Sequence, residues 1–149
     1  MFLVFSKQKH VILVALFIAS LFITLPVKAE QKVSLAHWDV HYIAFNSTFL
    51  TPEIAKQYGI LRSKFNGVIN ISILDKQDQS AQEAVLTGTA KNLLGVVKKL
   101  SFKQVQEGQA IYYLAVLPFS DQEQYRISVD INDGKINKTL KFQHKFYAE

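Results

Sequence analysis

The sequence contains no cysteine among its 149 residues, and this absence excludes several classes of protein. No disulfide can form, so an oxidising compartment would give the fold no covalent cross-link. A lipoprotein anchored through a modified cysteine is excluded, as are thiolate nucleophiles and cysteine-ligated metal centres. The fold must therefore depend on side-chain packing and backbone hydrogen bonding.

Signatures of the common enzyme classes are also missing. The sequence has no Gly-x-Ser-x-Gly nucleophile turn, no glycine-rich phosphate loop and no His-Glu-x-x-His metal motif. Asp75 and Asp78 lie close together, but their glutamine-rich surroundings are typical of a solvated loop rather than of an acid–base pair. We therefore expect no catalytic residues and no cofactor, and we expect that the protein is not an enzyme.

An export signal is the first feature that is present. A short basic start precedes an apolar run over residues 11–25, and Ala29 completes a small-residue cleavage pattern. The run is shorter than the roughly 20 apolar residues of an ordinary membrane-spanning helix. The pattern predicts a signal-peptide helix within residues 1–29 and a periplasmic domain of residues 30–149 after cleavage following Ala29. An uncleaved signal that anchors the protein in the inner membrane is the alternative.

The basic character of the chain is concentrated partly in this signal. Residues 1–29 hold three of the 17 lysines and arginines and leave 14 against 12 acidic residues, so the net charge falls from +5 to about +2. Lys98 and Lys99 are the only adjacent basic pair in the remainder, whereas nucleic-acid binding requires a clustered basic face. We expect no nucleic-acid partner, and membrane contact only through the signal peptide before cleavage.

Period-two alternation dominates the rest of the chain. Within residues 34–45 the apolar Trp38, Val40 and Tyr42 share one parity, which predicts a strand with one buried face. Residues 68–74 repeat the pattern, with isoleucines at 69, 71 and 73 predicted to face inward. Further strand-like runs cover residues 84–90, 93–102, 110–117, 125–132 and 136–147.

Turn residues between these runs fit antiparallel connections. Gly108 and the Asp133-Gly134 pair both separate strand-like segments, and Asp-Gly is a strong hairpin signal. The sequence therefore predicts an all-β fold, an immunoglobulin-like antiparallel β-sandwich of about seven strands. A small barrel is the alternative.

One segment departs from the strand pattern. Thr51 is a helix-capping residue, Pro52 suits the first helical position, and Gly59 suits the position just past the end. These signals predict one short helix over residues 52–58. We expect Ile54 and Tyr58 to lie on one face of it and to close one end of the sandwich.

Three stretches form a recognisable set. The first is residues 41–50 (HYIAFNSTFL), which is continued by matching residues at positions 52, 58–59, 62–64 and 67. The others are residues 107–115 (EGQAIYYLA) and residues 141–147 (KFQHKFY). Together they resemble a family of exported bacterial proteins known only as a domain of unknown function, DUF4426. The resemblance spans nearly all of residues 30–149. It implies a compact exported β-domain in Gram-negative bacteria, and no activity, cofactor or partner that transfers to particular residues.

A polar triplet inside the first of these stretches has two interpretations. The polar residues concerned are Asn46, Ser47 and Thr48, with Arg62 farther along the chain. As a recognition loop, they would contact a ligand beside the aromatic rings of Phe45 and Phe49. As a structural corner, they would satisfy the backbone where the strand turns into the helix, with both rings in the core. Turn chemistry alone explains each residue and favours the corner.

The metal-ligand candidates are His37, Asp39 and His41, which alternate along one predicted strand face. Same-face side chains begin about 6.5 to 7 Å apart, so ligation near 2 Å would require the outer histidines to bend inward. A solvated outer face is the favoured interpretation, and no metal is expected. His144 could join only if the last strand pairs beside the first.

Aromatic residues carry the last prediction about packing. Tyr112 and Tyr113 are adjacent and must face opposite sides of a strand. Tyr125 stands at the start of a late strand, where a tyrosine hydroxyl often bonds back across a corner.

The predicted function is a non-catalytic protein-interaction or accessory module whose partner is an unidentified envelope protein. The alternative is a small-ligand or metal-binding periplasmic protein. A deep pocket lined by Asn46, Arg62 and an aromatic residue would favour the alternative. An unpaired strand on an exposed sheet edge would favour protein binding by strand addition.

Overall fold

The computed structural model describes residues 31–149, which are mostly β-structure. The regular elements in this range are β1 (Gln31–Leu35), β2 (Trp38–Asn46), a 3₁₀ turn (Ser47–Phe49), α1 (Pro52–Tyr58), β3 (Asn66–Asp75), β4 (Val85–Asn92), β5 (Val97–Ser101), β6 (Lys103–Glu107), β7 (Ala110–Pro118), β8 (Gln124–Asn132) and β9 (Asn137–Lys145). The predicted signal peptide and its cleavage site lie outside the described residues. No helix within residues 31–149 has the length and apolar character needed to cross a membrane.

The strands form two antiparallel sheets. The order is β1-β2-β3-β7-β6 in the five-stranded sheet and β5-β4-β8-β9 in the four-stranded sheet. Only Phe102 separates β5 from β6, so the chain passes from one sheet to the other at that residue. The all-β prediction is confirmed, but the expected number of about seven strands is too low.

The inner faces of both sheets enclose one hydrophobic core. Trp38, Val40 and Ile71 from the five-stranded sheet meet Ile127 and Val129 from the four-stranded sheet, and each is almost completely buried. The inward side predicted from the period-two pattern of β2 and β3 is therefore correct. Burial of a large aliphatic or aromatic side chain contributes about 1.5–3 kcal/mol, which is how a chain without disulfides holds its fold.

The first predicted strand is wrong in one respect. Residues 34–45 are not continuous, because Ala36 and His37 form a tight turn that folds β1 back on β2, with Val33 opposite Val40. Ala36 has a φ of 55°, a conformation that alanine rarely adopts. Residues 93–96 likewise connect β4 to β5 instead of belonging to a strand.

Helix α1 has its predicted bounds but a different position. The Thr51 hydroxyl accepts a hydrogen bond from the Ile54 N–H at 3.3 Å, and Gly59 ends the helix with a φ of 69°. The helix covers the outer face of the five-stranded sheet, where Ala55 contributes to a second buried cluster with Val68. The prediction that Ile54 closes an end of the sandwich is wrong, since Ile54 is exposed.

The tyrosines follow their predicted geometry. Tyr113 faces the core, and its hydroxyl accepts a hydrogen bond from the Ala84 N–H at 2.8 Å. Tyr112 lies half-buried on the opposite, outer face. The Tyr125 hydroxyl donates to the Pro118 carbonyl at 3.4 Å and accepts from the Lys98 ammonium at 2.8 Å.

Candidate functional site

The polar triplet after β2 is bound into the fold. The Asn46 amide donates to the Tyr147 carbonyl at 2.6 Å. The Ser47 hydroxyl donates to the Ser63 carbonyl at 3.0 Å and accepts from the Ser63 N–H at 2.9 Å. Asn46 and Ser47 are buried, so these groups satisfy the chain's own backbone.

The neighbours of the triplet divide between core and solvent. Arg62 donates to the Thr48 carbonyl at 3.1 Å, which also directs that guanidinium toward the chain itself. Phe45 packs against the second cluster, whereas Phe49 is 71% exposed. The expectation that both rings are in the core is therefore wrong for Phe49. The hydrogen bonds favour the structural corner over a recognition loop.

The three metal-ligand candidates occupy different environments. His37 lies exposed in the β1–β2 turn, whereas His41 is half-buried farther along β2. Asp39 is buried, and both of its oxygens are used: Oδ1 accepts from Ser34 at 2.7 Å, and Oδ2 accepts from Lys32 at 3.1 Å. The expected solvated face is therefore wrong at Asp39.

The same contacts affect the ionisation of Asp39. The Ser34 hydroxyl and the Lys32 ammonium lower the pKa of this carboxyl from 3.8 to about 2. Asp39 thus remains a carboxylate that holds the β1–β2 hairpin together. His144 does not approach it by strand pairing, because β9 pairs with β8. Within residues 31–149, no three histidine, aspartate or glutamate side chains gather as a metal site would require.

A concave apolar cavity lies between α1 and the outer face of the five-stranded sheet. Its volume is ≈ 270 Å³, and its lining residues are Phe45, Leu50, Tyr58, Ile60, Val68, Asn70, Val105, Glu107, Tyr112 and Leu114. β3 and β7 provide the floor, where Asn70 lies opposite Leu114. The edge strand β6 provides one rim through Val105 and Glu107.

Asn70 is the exception in this apolar floor. Its Oδ1 atom is buried and has no hydrogen-bond partner. A buried acceptor without a partner costs about 1–3 kcal/mol, and such groups are uncommon in native proteins. The cavity therefore offers a ligand apolar contact with one acceptor at its base, and the Glu107 carboxylate adds negative charge at the rim.

A larger groove with more polar side chains adjoins the cavity at Tyr112. Tyr112 lines both concavities, and His41, Ser72 and Gln106 are among the side chains that line the groove. His41 lies opposite Ser72 across the β2–β3 ladder, which places both on the outer face. The outer face thus changes from apolar beside α1 to polar toward the β1–β2 hairpin.

An unpaired strand edge lies beside the cavity. β6 pairs only with β7, and its outer-face residues alternate with Gln104 and Gln106. Lys103 donates to the Tyr58 carbonyl at 3.1 Å and so connects the edge to α1. No local sequence pattern predicts this site, although apolar residues at both parities of β3 and β7 indicate strands that are covered on both faces.

Residues 32–149 match the family model described as domain of unknown function DUF4426. The crystal structure of a DUF4426 family protein from Pseudomonas aeruginosa is similar to this chain, with 38% sequence identity and a TM-score of 0.71. The match covers 80% of this chain and 96% of that one, so the crystallised relative spans about the same extent as residues 31–149. No curated protein matches the chain.

More distant structures share the fold. FetP of uropathogenic Escherichia coli strain F11, expressed in the periplasm, is 12% identical with a TM-score of 0.58, over 81% of this chain and 95% of that one. A copper-bound variant of FetP has a TM-score of 0.55 at the same identity, over 81% and 92% of the two chains. At this identity the likeness concerns the fold alone.

Proposed function

The chain belongs to the DUF4426 family, and from its geometry we propose that it is a non-catalytic periplasmic module whose five-stranded sheet binds another envelope protein. An apolar side chain of the partner enters the cavity, and the partner's backbone lies along β6. The observation that carries this proposal is the coincidence of a cavity with an unpaired strand edge. Strand addition gives affinity through the backbone, and a pocket gives specificity.

The location and the fold type belong to the same proposal. The export signal predicted in residues 1–29 supports the periplasm. Two antiparallel sheets around one core support an immunoglobulin-like type, as does the Tyr125 hydroxyl that bonds to the Pro118 carbonyl. We expect no catalysis, because Asn46, Ser47 and Asp39 all use their polar groups within the fold.

Photocrosslinking in the native host tests the proposal. A photoreactive residue at Val105, on the cavity rim, should capture a reproducible envelope protein. The same residue at Val116 should not, since Val116 lies on the outer face of β7 but does not line the cavity. Val105→Phe should fill the cavity and abolish capture by a probe placed at Glu107, whereas Val116→Phe should not. Equal capture at positions 105 and 116, or none, would contradict protein binding at this site.

Small-ligand binding is the second candidate, and Asn70 favours it. Its buried Oδ1 atom requires a donor, and Glu107 favours a cation, so the matching ligand is an apolar amine. Phenethylamine is a suitable probe. Binding should shift the side-chain amide NMR signal of Asn70, and Asn70→Leu should abolish binding without lowering the melting temperature. An unchanged spectrum at millimolar amine would exclude this class of ligand.

Metal binding is the weaker alternative. One FetP structure contains copper, but that protein shares only the fold with this chain. Asp39 is already held by Ser34 and Lys32, and His37 lies outside the strand that carries His41. A zinc or copper titration that raises the melting temperature of residues 31–149, and fails to do so in His41→Ala, would favour metal binding over the cavity.

A further inference from the structure

The hairpin that joins β4 to β5 exposes large apolar side chains at its tip. The exposed fractions are 68% for Leu93, 89% for Leu94, 51% for Val96 and 55% for Val97. Single exposed apolar residues are ordinary, but four of them in five consecutive residues form a contiguous apolar projection. None of these side chains belongs to either buried cluster.

The conformation of this hairpin does not depend on the leucines. The Asn92 carboxamide accepts a hydrogen bond from the Val96 N–H at 2.8 Å, and Gly95 has a φ of 86°. The Asn92 amide also donates to Glu123 at 2.8 Å, which fastens the base of the hairpin to the loop before β8. Polar residues would satisfy the turn equally well. The turn therefore does not explain why the side chains at the tip are apolar.

The outer face of the four-stranded sheet extends from this tip and is basic. The strand register places Val97 beside Lys91, and Lys91 beside Arg126. Lys99 and Lys141 lie in the next outward-facing row, on either side of Thr89 and Ser128. The charged residues at the outward positions of this sheet are Lys91, Lys99, Arg126, Lys141, Lys145 and Asp130.

The single carboxylate on this face is remote from the tip. Asp130 lies opposite Thr87 and accepts a hydrogen bond from the Thr139 hydroxyl at 2.6 Å. The basic residues are scattered along the sequence, and only the strand register brings them together. No aromatic side chain occupies an outward position on this face, so a stacking platform for nucleic-acid bases is missing from it.

We propose that this surface docks the protein on an anionic phospholipid bilayer, with the tip of residues 93–97 in the interface and the basic face against the headgroups. An apolar projection beside clustered lysine and arginine is the combination that binds membrane surfaces. Each basic side chain near an anionic surface strengthens binding, and the effect weakens with salt. This contact is additional to that of the signal peptide, and it uses the opposite sheet from the cavity.

Vesicle sedimentation of residues 31–149 tests the proposal. We expect binding to vesicles of 70% phosphatidylcholine and 30% phosphatidylglycerol, little binding to phosphatidylcholine alone, and weaker binding at 0.5 M salt. Leu93→Ser/Leu94→Ser should lower the partition coefficient about tenfold. The control Phe49→Ser/Leu61→Ser removes two apolar side chains of comparable exposure, 71% and 74%, on the side of the other sheet and should leave binding unchanged.

A second pair of variants tests the charges. Lys91→Gln/Arg126→Gln should reduce binding to anionic vesicles, whereas Lys56→Gln/Lys64→Gln removes the same charge elsewhere and should have less effect. Equal losses in variant and control would overturn the proposal, as would equal binding to neutral and anionic vesicles. Absence of binding to the anionic vesicles would also overturn it, and capture of a protein by a photoreactive residue at Leu94 would then show a protein-binding surface instead.

Discussion

The two sheets contribute similarly to the core but differ on their outer faces. The outward residues of the five-stranded sheet include Phe45, Val68 and Leu114, and α1 with Ile60 covers them. The outward residues of the four-stranded sheet include Lys91 and Arg126, and no helix of the described chain covers them. The inward residues of both sheets form the hydrophobic core. The outward residues determine whether a sheet face is covered by a helix, lines a cavity or stays exposed as a charged surface.

The largest expected difference in stability is between two variants that place a carboxylate on the outer face of one sheet or of the other. Val68→Asp buries a carboxylate beneath α1 and should lower the free energy of unfolding by about 3 kcal/mol or more. Thr89→Asp places the same carboxylate on the open basic face and should change stability by no more than about 0.5 kcal/mol. Chemical denaturation measures both. Similar losses in the two variants would mean that the faces do not differ in cover.

A smaller loss of stability is expected when the N-terminal cap of α1, the helix that covers the five-stranded sheet, is removed. Thr51→Ala removes the oxygen that accepts from the Ile54 N–H and should cost about 1 kcal/mol. Thr51→Ser keeps that oxygen and should cost much less. If the cavity needs α1 in place, Thr51→Ala should also weaken capture by a probe at Val105. If Thr51→Ala left the free energy of unfolding unchanged, the Thr51 cap would not stabilise the helix.

The stability contributed by Asp39, at the polar end of the five-stranded sheet, should depend on pH in the acid range. The folded-state pKa of Asp39 is about 2, below its ordinary 3.8, so its stabilisation is complete above about pH 4 and disappears as pH falls through about 2. The melting temperature of Asp39→Asn should therefore decrease less steeply between pH 4 and pH 2 than that of the wild type. Ser34→Ala, which removes the largest cause of the lowered pKa, should give an intermediate slope. Parallel curves for all three proteins would contradict this role.

The smallest effect on stability should come from the exposed hairpin. Leu93→Ser/Leu94→Ser removes side chains outside both clusters, so the free energy of unfolding should change by no more than about 0.5 kcal/mol. The same variant should bind anionic vesicles about tenfold more weakly. A loss of stability above about 1.5 kcal/mol would instead show that these leucines pack within the fold.

Sequence reasoning predicts best where the signal is local. The bounds of α1 follow from Thr51, Pro52 and Gly59, which specify a start and an end within nine residues. The inward sides of β2 and β3 follow from period-two alternation, because a strand with one core-facing side requires it. The hydrogen bond from Tyr125 to the Pro118 carbonyl also agrees with its position at the start of β8.

Features that depend on distant residues could not be predicted. Ala36 adopts a positive φ because β1 pairs with β2, and nothing in an Ala-His pair indicates such a turn. The polar sequence of β6 becomes a strand only through its pairing with β7. The cavity and the basic face likewise arise from strand order and register, which place residues such as Lys91 and Lys141 on one surface.

The contacts made by residues 146 and 147 have a consequence for biosynthesis. The Asn46 amide finds its acceptor 101 residues later, in Tyr147, and the Phe146 ring lies against Gly67, where a Cβ atom would collide with it. A ribosome makes the amino end first, so an emerging chain leaves both positions incomplete until residues 146 and 147 have been added. Contacts between residues so far apart in the sequence also form slowly during folding. Native packing at both positions therefore requires residues 146 and 147, which are among the last of residues 31–149 to be made.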